Sequence, residues 1–294
     1  MNRKNKLLGN IGNFILFMGP SLFAFACVLI IPFLYGIYLT FTDYSPIRIT
    51  YEFVDFSNFR AVFTDKEFWQ QFLKTLGYVL YSTIFCNLLA FILAYLLTSN
   101  IRGRNFLRAG FFTPNLIGGI VLGYIWKFIF ANVVTKLGET LDYQPLKTSF
   151  LTHPDRAIVA MIIVTVWQYA GYLMIIYIAG FVGIPREVQE ASEIDGATGL
   201  KKLFSVTIPL MVPSFIICFF IMISRGFMTY DLNLALTNGQ PYGSTRLAAM
   251  HIYQKAFQAN EYGIGQAEAI IFFITVAIAA VTQVLLTKKF EVEA

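Results

Sequence analysis

Charge is what this sequence has least of. Only 13% of its 294 residues are Asp, Glu, Lys or Arg, about half the roughly 25% of a soluble globular domain. No long hydrophilic domain remains anywhere in it, which excludes an ordinary soluble enzyme. Cysteine is scarce too. Cys27, Cys86 and Cys218 each sit inside an apolar run, with no metal-ligand spacing and no disulfide framework. They read as small core residues, the usual role of a buried free thiol. There are two histidines, His153 and His251, and neither lies beside a nucleophile or a metal cluster. The phosphate-cradling P-loop, the HExxH zinc motif and the GxSxG elbow are all missing. The chain therefore carries no catalytic residues, no metal site and no nucleotide or other cofactor of its own.

What the sequence has instead is apolar length. Hydrophobic residues make up 57% and aromatics 17%, including 30 Phe, and the mean hydropathy is +0.63. A helix needs about 20 mostly apolar residues to cross a hydrocarbon core. Six stretches qualify, near 12–42, 72–98, 107–131, 157–184, 206–230 and 267–287. The expected fold is all-α and polytopic, one transmembrane domain over residues 1–294. The first stretch carries Pro20 and Pro32, so a kink or an interfacial start is expected. Ala24-Phe25-Ala26-Cys27 faintly resembles a leader cleavage site. The apolar run continues past it through Ile30, Ile31 and Leu34, which favours an uncleaved first span. The third stretch holds Pro114, Gly118, Gly119 and Gly123, and Gly119 with Gly123 forms a small-xxx-small spacing that lets helices approach closely.

The net charge of +5 does not point to nucleic acid, because basic residues gather at the cytoplasmic ends of membrane helices. Arg3, Lys4 and Lys6 open the chain, Arg102, Arg104 and Arg108 crowd a short connection, and Lys288 and Lys289 follow the last span. The 43–71 connection carries Asp43, Glu52, Asp55, Asp65 and Glu67 against three basic residues. Six spans then put both termini, the 99–108 loop and the 185–205 loop in the cytoplasm. The 43–71, 132–156 and 231–266 loops face outward.

One polar interruption has its own pattern. Pro185–Pro209 carries Glu187, Glu190, Glu193 and Asp195, then Gly196 and Gly199, then Lys201 and Lys202. Pro185 suits the first turn of a short helix, and the acids suit the positive end of its dipole. Asp195-Gly196 ends that helix, with Asp195 a candidate N-cap for the next. A second helix is expected over 197–207, with Lys201 and Lys202 outward and Leu200, Leu203, Phe204 and Ile208 inward. Pro209 marks the entry to the fifth span. The alternative is an ordinary interfacial loop.

Glu190-Ala191-Ser192, Asp195-Gly196-Ala197 and Ile208-Pro209 together resemble the EAA motif of the permease subunits of binding-protein-dependent ABC importers. Ser192 replaces the motif's second Ala, and Ile208 stands where Leu is frequent. Phe41-Thr42-Asp43-Tyr44, Phe53-Val54-Asp55-Phe56 and Phe68-Trp69 resemble the first permease subunit of the carbohydrate branch. So does Leu236-Thr237-Asn238-Gly239-Gln240-Pro241, with Gln240 in place of a Gly. The resemblance implies inward transport of a sugar across a bacterial plasma membrane. It implies a second permease subunit, a pair of ABC ATPases holding ATP and magnesium, and an external solute-binding protein as partners, with lipid around the spans. Carried over, Glu187, Glu190, Ala191, Asp195, Gly196 and Pro209 couple the spans to the ATPase. A polyol phosphate is the alternative solute, and a secondary transporter or channel the alternative class.

Solute sites in transporters lie near the bilayer midplane. The fourth span offers Thr165, Trp167, Gln168, Tyr169 and Tyr172 there, hydrogen-bonding groups beside aromatic faces. The fifth carries Arg225 with Thr229 four residues on; a charge inside a span is costly and usually functional. These seven are the expected pathway residues, with plain interhelical packing as the alternative. Asp231, six residues beyond Arg225, is not expected to pair with it locally.

Overall fold

Proline and glycine positions decide where the long apolar runs hold as single helices and where they break. The computed structural model describes residues 14, 16–47, 50–99 and 101–290. Among them the one β pairing is an isolated bridge between Thr42 and Phe53, and the rest is helix and turn. In chain order the helices are α1 (Leu16–Leu39), α2 (Ser57–Thr64), α3 (Lys66–Thr98) and α4 (Arg104–Phe112). Next come α5 (Gly119–Thr140), α6 (Pro154–Gly183), α7 (Arg186–Ile194) and α8 (Gly199–Leu210). The last four are α9 (Val212–Phe227), α10 (Asp231–Leu236), α11 (Ala248–Tyr253) and α12 (Tyr262–Lys288). Five of these, α1, α3, α5, α6 and α12, are long and apolar enough to cross a membrane, and a sixth crossing exists if α8 and α9 count as one bent span.

Two expected spans are broken. The 107–131 stretch is α4, a 3-10 turn over Thr113–Leu116, an extended pair at Ile117 and Gly118, and then the start of α5. Pro114 has no N–H to continue the α4 ladder, so the chain leaves the α-helix there. The 206–230 stretch bends by 70° between α8 and α9. Met211 sits at the corner, and Pro213 has no N–H to offer the Pro209 carbonyl. In α1 the backbone widens into a π turn at Ala26–Ile30, just ahead of Pro32, where a proline perturbs the ladder. Residues 12, 13 and 15 of the first expected span lie outside the described residues. The 43–71 and 231–266 connections are partly helical, as α2, α10 and α11.

The chain forms two compact units. The smaller comprises Met1–Asp65 and Ile252–Ile271. Within it Asn58 donates from Nδ2 to the carbonyls of Thr40 (2.9 Å) and Thr42 (2.8 Å), tying α2 to the end of α1. Phe41 packs among Phe53, Phe56 and Phe59. Cys27, expected in a core, is exposed, because α1 presents nearly all its side chains outward.

The larger unit comprises Lys66–His251 and Phe272–Ala294. Its spine is α3 against α6. Cys86, Ala90, Ala94 and Leu97 recur at helical spacing on α3 and are buried against Leu173, Met174, Tyr177 and Phe181 of α6. Small residues on one face allow that approach. Gly171 does the same for α4: a Cβ there would collide with the Phe111 carbonyl. Two of the polar side chains inside this apolar packing are paired with each other, as burial favours. Tyr177 donates to Asn87 Oδ1 at 2.7 Å, and Asn87 Nδ2 donates to the Thr83 carbonyl at 2.8 Å. On the far side Asn233 donates to the Thr245 carbonyl at 2.9 Å and holds the 237–246 loop.

Candidate functional site

The two broken spans meet α6 around a cavity of about 630 Å³. Its wall on one side is the break itself, Asn115 through Gly119. An extended pair between two helices leaves backbone carbonyls without helical partners. Gln168 of α6 answers one of them, donating from Nε2 to the Ile117 carbonyl at 3.0 Å. Thr165, one turn away, shares a 2.6 Å hydrogen bond with the Tyr78 hydroxyl of α3. Tyr169 completes this face of α6 and holds the Arg225 guanidinium 5.4 Å above its ring, within reach of a cation–π attraction. Arg225 lies in the last turn of α9, where the helix dipole favours a cation. Thr229 lines the same cavity and donates to the Arg225 carbonyl at 3.1 Å.

Five of the seven expected pathway residues thus come together: Thr165, Gln168, Tyr169, Arg225 and Thr229. Trp167 and Tyr172 do not line the cavity. Trp167 is two residues from both Thr165 and Tyr169, so it points from the opposite face of α6, where it packs edge-on against Trp126. Tyr172 shares the right face but stands about 10 Å further along the helix than Thr165, packed against the core. Asn115, Tyr230 and Asp231 line the cavity without having been expected to. Asp231 joins because α9 stops at Phe227 and α10 begins at Asp231, so the chain changes direction beside the cavity. It fits because Gly119 has no side chain: a Cβ there would come within 2.9 Å of Asp231 Cβ. Gly123, one turn on, is pressed in the same way against Ala235, so the small-xxx-small pair does seat a helix, α10. For Asn115 the signal was Pro114 with Gly118, which mark an interrupted helix; Tyr230 and Asp231 carried no such signal.

The second feature is the pair α7 and α8. Pro185 stands just before α7 as its N-cap, one residue earlier than expected. Glu187 lies in the first turn, and Arg186 pairs with Glu190 at 2.7 Å. The Ala197 N–H donates to Ser192 O at 2.9 Å and the Gly196 N–H to Glu193 O at 3.1 Å, a Schellman closure that needs a left-handed residue between them. Gly196 supplies it, with φ +76°. Asp195 is therefore the C-cap of α7; the expected N-cap role falls to Thr198, in extended conformation, and α8 starts at Gly199. Lys202 bridges back to Glu193 at 2.8 Å. That bond, with the added attraction of the ammonium charge, holds the Glu193 carboxyl below the usual carboxylate range. Leu203 is buried and Ile208 partly so, whereas Leu200 and Phe204, expected inward, are exposed together with Ile194. Glu190 and Ala191 are exposed on α7, and Pro209 lies in the last turn of α8, before the 70° corner.

These features define a multi-pass helical membrane protein with a cavity beside the α4–α5 break and a separate pair of short helices, α7 and α8. The chain belongs to the family of binding-protein-dependent transport system inner membrane components, whose model matches residues 86–292. It is 39% identical, over 100% of both chains, to a protein of Thermoanaerobacterium thermosulfurigenes named "Probable starch degradation products transport system permease protein AmyD". It is 33% identical to the multiple sugar-binding transport system permease protein MsmF of Streptococcus mutans, over 89% of this chain and 90% of that one. A solved bacterial ABC transporter involved in import of the acidic polysaccharide alginate has the same fold, with TM-score 0.80 and 20% identity over 97% of this chain and 99% of that one.

Proposed function

We propose that this chain is one permease subunit of an ATP-driven importer and that it passes a sugar or oligosaccharide inward through the cavity between α5, α6 and α9. The observation that carries this reading is the make-up of that cavity: the Tyr169 ring face stands beside the amides of Asn115 and Gln168, the hydroxyls of Thr229 and Tyr230, the Arg225 guanidinium and the Asp231 carboxylate. A hydroxyl-rich ligand needs such hydrogen-bonding groups placed against a flat apolar surface. Asp231 offsets the charge of Arg225, which favours a neutral sugar over a phosphate ester. The relatives named for starch products and multiple sugars support the same solute class.

In this reading both termini lie in the cytoplasm, supported by the distribution of Lys and Arg, and the count of six spans puts the α7–α8 pair on the same side. There the exposed Ile194, Leu200 and Phe204, ringed by charged side chains, suit docking onto an ATPase subunit. Glu187, Glu190, Ala191, Asp195 and Gly196 belong to the docking element, and Pro209 to its joint with α9. A second permease subunit, two ATPases that hold ATP and magnesium, and an external binding protein complete the machine. The test is uptake into proteoliposomes holding this chain with those partners. Accumulation of radiolabelled maltooligosaccharide or another oligosaccharide is expected only with binding protein outside and ATP on the ATPase side. Accumulation driven by an ion gradient without ATP would overturn the assignment.

A further inference from the structure

Next to α4 runs a second, wholly different concavity. It is an apolar groove of about 380 Å³, lined by Leu89 and Leu93 of α3, Phe106, Leu107 and Phe111 of α4, and Trp167 of α6. The start of α4 lies where α3 ends, after 33 residues or about 50 Å of helix, which is longer than the hydrocarbon core and so reaches the headgroup level. The sequence from Ser99 to Phe112 contains Arg102, Arg104 and Arg108 and no acid. Arg108 is used by the fold: its Nη2 donates to the Leu97 carbonyl at 2.6 Å and closes the end of α3. Arg102 and Arg104 are exposed, and neither has an ion-pair partner among the described residues. Arg104 stands one turn from Leu107 on the same helix, so the cationic rim and the apolar groove are adjoining parts of one surface.

We infer that this surface binds an anionic phospholipid, with an acyl chain along the groove and the phosphate on Arg102 and Arg104. An unbalanced basic rim above an apolar groove at headgroup depth complements a lipid that carries net negative charge, and a zwitterionic lipid satisfies only the groove. Phe106, exposed at the rim, adds apolar surface for the upper part of the acyl chain. The inference does not depend on which solute the protein moves.

Native mass spectrometry of the protein, purified in mild detergent with the subunits it carries, reads this directly. The probes are phosphatidylglycerol and phosphatidylcholine of equal chain length. Phosphatidylglycerol is expected to be retained in preference. Arg102→Gln, at an exposed turn position, is expected to weaken its retention roughly five-fold, and adding Arg104→Gln by about the same factor again, the effect of removing one basic residue from an anionic surface. Phosphatidylcholine retention is expected to stay unchanged in both. Leu93→Trp, which fills the groove, is expected to reduce both lipids. Equal retention of the two lipids by the unmodified protein would overturn the inference, as would phosphatidylglycerol retention indifferent to both arginine changes. So would Phe106→Cys cross-linking in high yield to another permease subunit, which would mean that protein covers the groove.

Discussion

Arg225 holds a charge at the end of an apolar helix, and Tyr169 is what it faces. A guanidinium stacked on a ring is worth about 0.5–2 kcal/mol depending on its exposure, and part of that stacking is lost whenever a solute takes the ring face. Arg225→Ala is expected to lower transport at least several-fold while the protein still inserts. Arg225→Lys is expected to keep part of the activity, since an ammonium is also drawn to the ring but lacks the planar fork. Initial uptake rates at several solute concentrations check both, and unchanged rate and apparent affinity in Arg225→Ala would remove the residue from the pathway. At this scale the sequence was legible where spacing carried the information. Residues 165, 168 and 169 share a helical face and do line one cavity. Residue 167 breaks that spacing, and its aromatic and hydrogen-bonding character masked the mismatch. Asp231 was not legible, because the turn between α9 and α10 that brings it to the cavity goes with close contacts of α10 to Gly119 and Gly123 far back in the chain.

The α7–α8 pair behaves as an element because two different bonds close it. The first is the backbone closure at Gly196, whose φ of +76° costs an L-residue about 1–2 kcal/mol. Gly196→Val is expected to leave insertion intact and to separate ATP hydrolysis from uptake, while Gly196→Asn, which tolerates the left-handed region, keeps them linked. ATPase rate and uptake measured on the same vesicles decide it, and tight coupling in the Val variant would exclude a role for the turn. The second bond is the Glu193–Lys202 bridge. Because the Glu193 carboxyl titrates below the usual range, the bridge is fully present above the ordinary carboxylate pKa. It is lost only as the pH falls through the lowered value. Carbonyl NMR of labelled Glu193 is expected to show the depressed titration, and Lys202→Met to return it toward the ordinary range. The Gly196 stop was readable from sequence because one residue type decides it. The outward set of Leu200 and Phe204 was not, since an amphipathic pattern does not say whether the apolar side turns to the chain's own core or to a partner.

For the whole molecule, the distribution of Lys and Arg makes a topological statement that chemistry can check. Ile194 and Tyr242 are both highly exposed and lie on opposite sides under the assigned orientation. In a background carrying Cys27→Ser, which removes the exposed native thiol, Tyr242→Cys is expected to react with a membrane-impermeant maleimide added to intact cells. Ile194→Cys is expected to react only after the membrane is opened. The reverse pattern would invert the orientation. The helical, multi-pass character was plain from apolar run lengths, because the bilayer sets a length that sequence displays directly. The interruptions were less plain. Pro114 and the Pro209–Pro213 pair stood in view, yet hydropathy averages across them and reports two continuous spans.

The corner at Met211 bears on how motion is passed along the chain. Helices α8, which widens into a π turn at Leu203–Thr207, and α9 meet at Met211 with no loop between them, and their axes differ by 70°. A displacement along α8 therefore has a component of cos 70°, about one third of its length, along the α9 axis, and one of sin 70°, about nine tenths, across it. Pulling on α8 would swing the near end of α9 across the membrane plane far more than it would draw that helix in or out. On the proposed function, a pull transmitted through α8 is therefore expected to change the width of the cavity beside Arg225 more than its position along the α9 axis.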